Sequence, residues 1–514
     1  MKKDEYDVII IGAGIGGLAT GNILAKNGMK VLILEKNPVP GGAVTTYYKN
    51  GYPIDICHAI CAMDQDGFLG KIFNYLGILK ELDLVKLDKA FICFSNEQKL
   101  INCYANYDKY KFELFRFFPR QVKSIEKILN KIKITWDHEI LKTYYAPNIL
   151  KLILYPLFFP YLFQYRNFTF EKFLNNFTKN DELKEIISIG WPYLGLKKEA
   201  VSALYMFCLI GAYHKEGCYF IKGGFGKITE LLANNFKKLG GVINLNCKVF
   251  NILIKNKKAY GVQLADNYQI LANKIISNID TRKTFLNLIN VKEISPKLLK
   301  RVKLSTLSCS SIQVHLCAKA SISPEFLSTG TIVLPFSENL EWKLKKYLHS
   351  NFNLNSEQHF ALSINSIKNF NKIEENNIYI FNIVLIPASY NLWNSFYNNY
   401  GKEEYQILKE EMAQEVIKQI KKIWNIESIK FSNVLTPLSV NNWMDSSEGA
   451  IYDFAAFPRQ MLLNRFKNST EIKDLYLVGA KTFPGAGMAG ALLSATYLCD
   501  KMLNYSLTKG RFTL

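Results

Sequence analysis

The sequence predicts a protein of the mixed α/β class, in which an α+β domain is inserted into an α/β domain. Three observations predict this arrangement. The chain starts with an apolar strand, a glycine-rich turn, a helix and a second apolar strand. Alternating strands follow near the middle, and a strand, another glycine-rich turn and a helix close the chain. Parallel strands buried on both faces of a sheet are continuously apolar, as the terminal strands are here.

The first element is a strand–helix–strand unit. Residues 8–11 are apolar, and a G-x-G-x-x-G motif, a helical stretch to about Lys26 and the strand at residues 31–34 follow. The glycines permit a tight turn, a close approach to a pyrophosphate and packing of the helix on the strand. The helix start would bind phosphates, and the acidic residue after the second strand would bind ribose hydroxyls. This unit predicts a Rossmann-type dinucleotide site formed by Gly12, Ala13, Gly14, Gly16, Gly17 and Glu35.

The residues after Glu35 indicate which dinucleotide is bound. Lys36 is followed, a few positions later, by the double glycine Gly41-Gly42. A double glycine at this distance from the acidic residue is typical of FAD proteins of the two-dinucleotide-binding type, in which the backbone lies against the phosphates and the ribityl chain. The pattern predicts FAD as the cofactor, with Lys36, Gly41, Gly42 and Ala43 in the site.

The end of the chain supports the same cofactor. A short strand at residues 474–478 ends in Gly479, a second glycine-rich turn occupies residues 484–490, and a helical stretch follows. The turn at Gly479 would contact the ribityl chain and phosphates. The helix after residue 487 would direct its N–H groups at the flavin N1–O2 edge. This predicts further cofactor contacts at Gly479, Ala480, Gly487, Met488 and Ala489.

In the middle of the chain, a helical stretch runs from Gly226 to about Lys238. A strand is expected at residues 242–246, and three more between residues 248 and 277 form a predicted β-meander. The Gly226-Lys227 pair is followed by Ile228 rather than Ser or Thr, so this is not a phosphate-binding Walker motif.

Composition narrows the function classes. The 514 residues are 49% hydrophobic and carry a formal charge of +20, which excludes a disordered chain and a polytopic membrane protein. Nearly all the positive charge is Lys, with eight Arg, so genome bias and attraction to an anionic membrane both remain open. Nucleic-acid binding is not expected, because Arg residues do not cluster and no recognised module is present.

Cysteine usage and the N-terminus indicate the compartment. The ten Cys residues form no C-x-x-C pair and no zinc-ligand pattern, so we expect free thiols in a reducing compartment and no metal site. Residues 1–7 do not resemble a signal peptide. The sequence therefore predicts a cytoplasmic protein, either free or peripheral on the cytoplasmic face of a membrane.

The motifs resemble those of the phytoene desaturase-like flavoproteins, the group of phytoene desaturases, carotenoid isomerases and retinol saturases. Four blocks carry the resemblance, in the family's order and over nearly the full chain. They are the N-terminal unit through residues 51–55 (Gly-Tyr-Pro-Ile-Asp), residues 218–228 (Cys-Tyr-Phe-Ile-Lys-Gly-Gly-Phe-Gly-Lys-Ile), residues 435–438 with 449–452 (Leu-Thr-Pro-Leu and Gly-Ala-Ile-Tyr), and residues 475–494.

The resemblance implies a discontinuous two-dinucleotide-binding FAD domain with an inserted substrate domain. The meander then belongs to the FAD domain, and Val249 lies by the adenine. The implied FAD-binding parts are residues 1–85, 219–289 and 435–514, and the implied substrate-domain parts are residues 86–218 and 290–434. The resemblance also implies a long apolar substrate, peripheral membrane association, and quinone or oxygen as electron acceptor.

Three departures from the family's pattern leave the reaction open. Ala43 stands where the desaturases often have Arg, Ile221 replaces a Pro, and Asp453 replaces a Gly. Desaturation of a polyene, isoprenoid or polyunsaturated acyl chain, by hydride transfer to flavin N5, is the leading reaction. A redox-neutral cis–trans isomerase and a double-bond saturase are alternatives within the group. A flavin amine oxidase and a non-catalytic flavin-binding partner protein are alternatives outside it.

Candidate catalytic groups are few. His58 follows the double glycine at a place expected to face the flavin, and Tyr452 and Asp453 precede the last strand with Glu448. Tyr213 and His214 are candidates for substrate contact. For each of these residues a structural hydrogen bond or a core position is the alternative interpretation.

One segment suggests a membrane contact. Residues 152–163, from Leu152 to Phe163, are rich in Leu and aromatic side chains, hold two Pro residues, and are flanked by Lys151 and Arg166. The segment is too short to span a bilayer as a helix. It suits either a monotopic membrane patch or channel mouth, or a buried core segment under a lid.

Overall fold

The computed structural model describes residues 5–56, 60–145, 154–194, 196, 199–334, 341–348, 359–366, 377–461 and 464–503. Its strands form two large mixed sheets and two small ones. In chain order the strands are β1 (Glu5–Ile11), β2 (Val31–Leu34), β3 (Thr46–Lys49), β4 (Tyr52–Asp55), β5 (Ile60–Cys61), β6 (Leu84–Leu87), β7 (Lys89–Phe94), β8 (Leu100–Tyr104), β9 (Cys218–Ile221), β10 (Val242–Asn244), β11 (Asn251–Lys255), β12 (Lys258–Gln263), β13 (Gln269–Ser277), β14 (Ser310–Ser321), β15 (Thr329–Leu334), β16 (His359–Ser366), β17 (Ile378–Ala388), β18 (Asn425–Leu435) and β19 (Leu475–Leu477).

The first sheet has the order β10-β2-β1-β13-β12-β11, and β19 also pairs with β13. Strands β10, β2, β1, β13 and β19 run parallel, while β11, β12 and β13 form the antiparallel meander. Strand β2 and residues 8–11 of β1 are buried, and both are continuously apolar, as strands covered on both faces of a sheet are. Strand β10, at the edge of the sheet, is exposed. A mixed α/β class is confirmed, although the strand expected at residues 242–246 ends at Asn244.

The second sheet has the order β18-β14-β17-β16-β15-β7-β8. Its strands come from two separate stretches of chain, before and after the meander of the first sheet. One face packs on the helical segment Tyr390–Lys421, which is interrupted at Gly401, where φ is +81°. The contact runs through side chains such as Val314, Leu385 and Trp393. The other face is turned toward the first sheet. The small sheets are the hairpin β3-β4 and the three-stranded sheet β5-β9-β6. In sequence, their strands fall between strands of the first sheet and strands of the second.

The helices that the structure describes cover both sheets. In chain order they are Ile15–Lys26, Phe68–Tyr75, Tyr107–Phe117, Val122–Thr135, Leu141–Tyr145, Tyr155–Phe158, Pro160–Tyr165, Phe170–Asn175, Asp181–Ile187, Ala203–His214, Gly226–Lys238, Thr281–Leu286, Pro296–Leu304, Pro324–Leu327, Trp342–Tyr347, Tyr390–Lys421, Pro437–Met444 and Gly487–Met502. A π-helical turn, Trp136–Ile140, links two of them. Among the described residues, no helix is both long and apolar enough to cross a bilayer.

Two long helices, one from each end of the chain, pack together beside the first sheet. Ile15–Lys26 and Gly487–Met502, from opposite ends of the chain, pack against each other and are buried on nearly every side. Helices that are buried on all sides are mostly apolar on all sides, as these two are. Their buried polar side chains, such as Asn22 and Ser494, make hydrogen bonds. The two glycine-rich turns that precede these helices are therefore brought to the same edge of the sheet.

Candidate functional site

The first glycine turn leaves no room for side chains. Gly12 has φ of +97°, and a Cβ on Gly17 would lie 2.2 Å from the Gly12 carbonyl oxygen. The helix Ile15–Lys26 begins after Gly14, and in the described part of the chain no side chain caps it. The first-turn N–H groups of this helix are thus presented at the mouth of the turn, as anion binding requires.

Glu35 lies directly beside this turn. Its Oε2 accepts from the backbone N–H of Ala13 at 2.7 Å, and its Oε1 accepts from the N–H of Asn37 at 2.9 Å. The carboxylate is buried at the end of β2, where ribose hydroxyls of a dinucleotide would reach it. Lys36 donates to the Asn442 carbonyl oxygen, and burial lowers the pKa of its ammonium group. Val249 is buried in the apolar core that packs against the meander strands of the first sheet.

The double glycine closes over the first turn. The Gly41 N–H donates to the Ala13 carbonyl oxygen at 2.9 Å, and a Cβ on Gly42 would lie 3.4 Å from the Cα of Gly14. The two loops therefore approach backbone to backbone. Trp443 donates its indole N–H to the Gly42 carbonyl oxygen at 2.9 Å, which fixes the loop from the far end of the chain.

The C-terminal turn meets the N-terminal one around Asn278. A Cβ on Gly16 would lie 2.7 Å from Oδ1 of Asn278 and 3.2 Å from the Cα of Gly479. Asn278 also donates to the Gly12 carbonyl oxygen at 3.2 Å. Ala480 offers its carbonyl oxygen to Arg465, at 2.7 Å from Nη2. Three loops thus approach one another at glycine positions and form one cradle, which fits a dinucleotide.

A large cavity of about 860 Å³ opens from this cradle. At one end it is lined by Ala43, Ala480 and the helix start at Gly487, Met488 and Ala489. At the other end it reaches the second sheet, and aromatic side chains such as Trp136, Tyr205 and Tyr213 line its walls. None of the described residues that line it carries a charged side chain. Such a wall suits an uncharged apolar ligand.

The three catalytic candidates are placed differently. Tyr452 lines the cavity. Asp453 is half-buried and is not among the described residues that line the cavity, and its Oδ2 accepts from the N–H and Oγ1 of Thr281 at 3.1 and 2.9 Å. Burial, followed by the nearby Asp280 carboxylate, raises the pKa of Asp453 to about 6. His58 lies outside the described residues.

The other candidates follow the same division. Tyr213 lines the cavity, whereas His214 stacks on the ring of Tyr110 with centroids 4.0 Å apart. The Nδ1 of His214 is 2.6 Å from the Tyr104 carbonyl oxygen, and burial lowers the pKa of this histidine to about 4. Glu448 pairs with Arg282 at the surface. The structure therefore brings Tyr213 and Tyr452 to the cavity and holds His214, Asp453 and Glu448 in other contacts.

Two buried cations, Lys481 and Arg465, lie at the Gly479–Ala480 turn. Lys481 donates to the Ile279 carbonyl oxygen, and burial lowers its pKa to about 8 although Asp453 and Asp280 oppose the shift. Arg465 donates to the carbonyl oxygens of Ala480 and Phe454. These contacts fix the backbone of the turn that follows β19.

Sequence reasoning did not identify four residues that shape the site. Asn278 joins the two glycine turns, Trp443 fixes the double glycine, and the Tyr205 hydroxyl accepts from the Ala486 N–H at the start of the last helix. Tyr47 lines the cavity and contacts His315. The position of Asn278 directly after the apolar strand β13 is a signal that could have identified it, because ligand sites occupy such strand ends.

The comparisons with known proteins agree with this architecture. Residues 10–76 match the family model of the NAD(P)-binding Rossmann-like domain. Prolycopene isomerase of Daucus carota is 27% identical over 98% of this chain and 80% of its own. A 4,4'-diapophytoene desaturase of a Methylomonas species is 23% identical over 96% of this chain and 95% of its own. A solved structure of putrescine oxidase has a TM-score of 0.62 at 14% identity, covering 97% of this chain and 99% of that one.

The cradle and the relatives that match nearly the full chain together define a dinucleotide-binding oxidoreductase. The structural likeness to putrescine oxidase is a likeness of fold. The resemblance to the phytoene desaturase-like group, which the motifs predict, is confirmed by relatives that match nearly the full chain and include carotenoid desaturases and isomerases.

Proposed function

We propose that this chain is an FAD-dependent oxidoreductase that acts on a long apolar polyene, isoprenoid or polyunsaturated acyl substrate, and that its reaction is desaturation. The observation that carries the proposal is the cavity of about 860 Å³, which begins at the glycine cradle and has no charged side chain among its described lining residues. An ionic substrate would lose its hydration there without an opposite charge to compensate it.

Three features support FAD as the dinucleotide. The double glycine Gly41-Gly42 contacts the N-terminal glycine turn. The Gly479–Ala480 turn contacts the same N-terminal turn. The helix Gly487–Met502 begins at the cavity wall. Bound FAD would supply the acceptor for the hydride that desaturation removes. We assign its binding to the fifteen residues that the motifs identify and to Val249, which the family resemblance implies lies by the adenine.

The side chains around the cavity would position the substrate and exclude water. Apolar and aromatic walls hold a hydrocarbon chain against the helix start at Gly487, and Tyr213 and Tyr452 offer hydroxyl groups along it. The proton that is lost together with the hydride needs an acceptor, and Tyr452 and His58 are our candidates. Asp453 is a weaker candidate, because its carboxylate is held by Thr281. Quinone or oxygen would reoxidise the cofactor.

Redox-neutral isomerisation is the second candidate. It is favoured by the relatives that are named prolycopene isomerase, which match 98% of this chain. Saturation of a double bond is the other alternative reaction within the group. An amine oxidase is disfavoured because the described cavity lining offers no acidic side chain for a charged amine.

One experiment separates these reactions. The flavin-loaded protein is incubated without oxygen with a panel of polyenes and polyunsaturated acyl chains, and both the flavin absorbance and the product mass are recorded. Bleaching of the oxidised flavin, with a product two hydrogens lighter, is the expected result. A product of unchanged mass that forms only with reduced flavin would establish isomerisation, and a product two hydrogens heavier that forms as reduced flavin is reoxidised would establish saturation. A protein that converts no substrate with either oxidised or reduced flavin would indicate a non-catalytic binding partner.

We further propose that the chain contacts a membrane peripherally through the segment 152–163. Of its described residues, Leu154, Leu157, Phe158 and Phe163 are exposed, with Leu157 at 76%. Phe159 and Leu162 are buried and attach the segment to the core. Arg166 lies over the Phe163 ring at 3.6 Å, so a cation borders the apolar surface. This arrangement suits an interfacial patch on an anionic, cytoplasmic membrane face.

A further inference from the structure

A second, smaller pocket of about 300 Å³ lies next to the Gly479–Ala480 turn. Its described lining belongs to residues 301–305 and 454–466, and none of these lining residues is among those of the large cavity. Arg465 connects the two places, because it lines the pocket and donates to the Ala480 carbonyl oxygen at 2.7 Å. The pocket is therefore a separate site beside the turn that we assign to the cofactor.

Arginine is concentrated in this pocket. Only eight of the 64 basic residues of the chain are Arg, and three of these eight, Arg301, Arg459 and Arg465, line the pocket. Arg301 lies far from the other two in the sequence, so it is the fold that brings them together. None of the described lining residues is acidic. A genome bias that favours Lys over Arg does not account for three Arg residues at one pocket.

Two of the three arginines are held in place by other contacts. Arg465 is 2% exposed, and its guanidinium group donates to three backbone carbonyl oxygens. Arg301 donates to the Asn464 carbonyl oxygen at 2.8 Å, and its guanidinium carbon lies 4.1 Å from the centre of the Phe466 ring. Side chains that are positioned before a ligand arrives lose less conformational entropy when it binds.

The positive charges of the pocket have little compensation within the described part of the chain. Arg301 and Arg459 are exposed, and neither forms an ion pair with any residue that the structure describes. Partial loss of water lowers the pKa of the Arg301 guanidinium group, and no carboxylate opposes this shift. Burial also lowers the pKa of Arg465, although Tyr205 and the Asp453 carboxylate act against it. A bound anion would give these cations a partner of opposite charge.

We propose that Arg301, Arg459 and Arg465 bind the phosphate group of a phosphorylated ligand. Guanidinium groups suit phosphate because their N–H groups form pairs of parallel hydrogen bonds to its oxygens, and they keep their charge at physiological pH. A pocket of about 300 Å³ has room for a phosphate or diphosphate group. A phosphorylated molecule in solution and a phospholipid headgroup share this chemistry. The site is independent of the proposed reaction, because none of its described residues lines the large cavity.

Isothermal titration calorimetry of the flavin-loaded protein with sodium pyrophosphate tests the site. Bound FAD occupies the glycine cradle, and salt at about 0.15 M screens the general positive charge of the chain. Arg459→Gln should raise the Kd about tenfold, because it removes a charged donor and breaks no hydrogen bond to a described residue. Arg301→Lys keeps the charge but loses the planar pair of donors, so it should raise the Kd severalfold.

Arg120→Gln is the matched control, because Arg120 is exposed and lies outside the pocket, and it should leave the Kd unchanged. Unchanged flavin content shows that each variant is folded. A second arm measures flotation with phosphatidylcholine vesicles that contain or lack phosphatidic acid.

The two arms distinguish the sources of the phosphate group. Pyrophosphate binding that depends on Arg301 and Arg459 assigns a soluble ligand, and such dependence in the phosphatidic acid arm alone assigns a lipid headgroup. If neither arm distinguishes Arg459→Gln and Arg301→Lys from Arg120→Gln, any binding is general attraction to a basic protein and the inference is wrong.

Discussion

The indole N–H of Trp443 donates to the carbonyl oxygen of Gly42 at 2.9 Å, across 401 residues of sequence. A second contact runs the same way, since Asn37 donates its side-chain amide to the Trp443 carbonyl oxygen at 3.1 Å. The helix Pro437–Met444 thereby fixes the loop that carries the double glycine. Both Trp443 and the neighbouring Ala43 line the cavity, so cofactor loop and substrate cavity share this contact.

Trp443→Phe should therefore weaken FAD binding. The substitution keeps an aromatic ring but removes the donor to Gly42, and the loss of one such hydrogen bond corresponds to about a fivefold to tenfold rise in Kd. The measurement is a titration of the flavin-free protein with FAD, followed by flavin fluorescence.

Trp424→Phe is the matched control. Trp424 is buried in the second core, and its indole N–H has no partner among the described residues. This variant should lose some packing stability and keep the FAD affinity. Equal effects of both substitutions on FAD binding would show that Trp443 acts through general stability.

The dinucleotide unit could be predicted from the sequence because its determinants are local. Gly12, Gly17 and Glu35 lie close together in the sequence, and their spacing is sufficient to predict the geometry of the strand–helix–strand unit. Asn278, Trp443 and Tyr205 act through contacts between distant segments, and no local spacing encodes those.

The face of β14 that carries Ser311, Gln313 and His315 illustrates the second limit. These residues alternate with apolar ones in the sequence, and such alternation is typical of a strand with one polar face. An alternating strand usually turns its polar face to water. Only the register of β14 with β17 shows that this face is buried beside the cavity.

Gly17→Ala should prevent stable FAD binding. Its Cβ would lie 2.2 Å from the Gly12 carbonyl oxygen, which is backbone and cannot turn aside. The variant should be isolated without bound flavin, which the ratio of flavin to protein absorbance reports. Gly21→Ala, in the same helix, meets the Ile33 and Phe236 side-chain tips at 2.9 and 3.0 Å, and these can adjust. It should retain flavin, and loss of flavin from both variants would contradict the steric explanation.

Tyr452→Phe and Asp453→Asn should differ in their effects on turnover. Tyr452 lines the cavity, so loss of its hydroxyl should lower kcat at least tenfold if it accepts or relays a proton. Asp453 is held by Thr281, and Asn keeps an acceptor for that contact, so turnover should stay within about twofold. Single-turnover flavin reduction with the substrate found in the anaerobic screen measures both. A slow Asp453→Asn beside a normal Tyr452→Phe would reverse the assignment.

The paired substitution Leu157→Ser and Phe158→Ser should weaken membrane binding about tenfold or more, because both side chains are exposed and apolar. Flotation with anionic and zwitterionic vesicles measures it, and high salt should release the natural protein from anionic vesicles. Phe112→Ser, at an exposed aromatic residue on another helix, is the control and should change nothing. Indifference to lipid charge would leave genome bias as the source of the lysine excess.

Glu341 is a buried acid away from the cradle. Its Oε1 accepts from the Ser389 N–H at 2.8 Å and from the Trp393 indole N–H at 3.1 Å. Burial raises its pKa from an ordinary value of 4.5 to about 7, because both hydrogen bonds, which favour the charged form, are outweighed by the loss of water. A carboxyl group with a raised pKa stabilises the fold below its unfolded value, and that contribution is lost as the pH rises through the folded value.

The contribution of Glu341 to the free energy of unfolding should therefore fall between pH 4.5 and 7, by an amount on the order of 3 kcal/mol. Glu341→Gln keeps the Oε1 acceptor and cannot ionise, so its stability relative to the natural protein should rise over this interval and level off above it. Urea unfolding at a series of pH values measures the difference. Glu404→Gln, exposed on the helix Tyr390–Lys421, should show no such trend. A flat difference for Glu341→Gln would mean that the carboxyl group ionises normally in the folded chain.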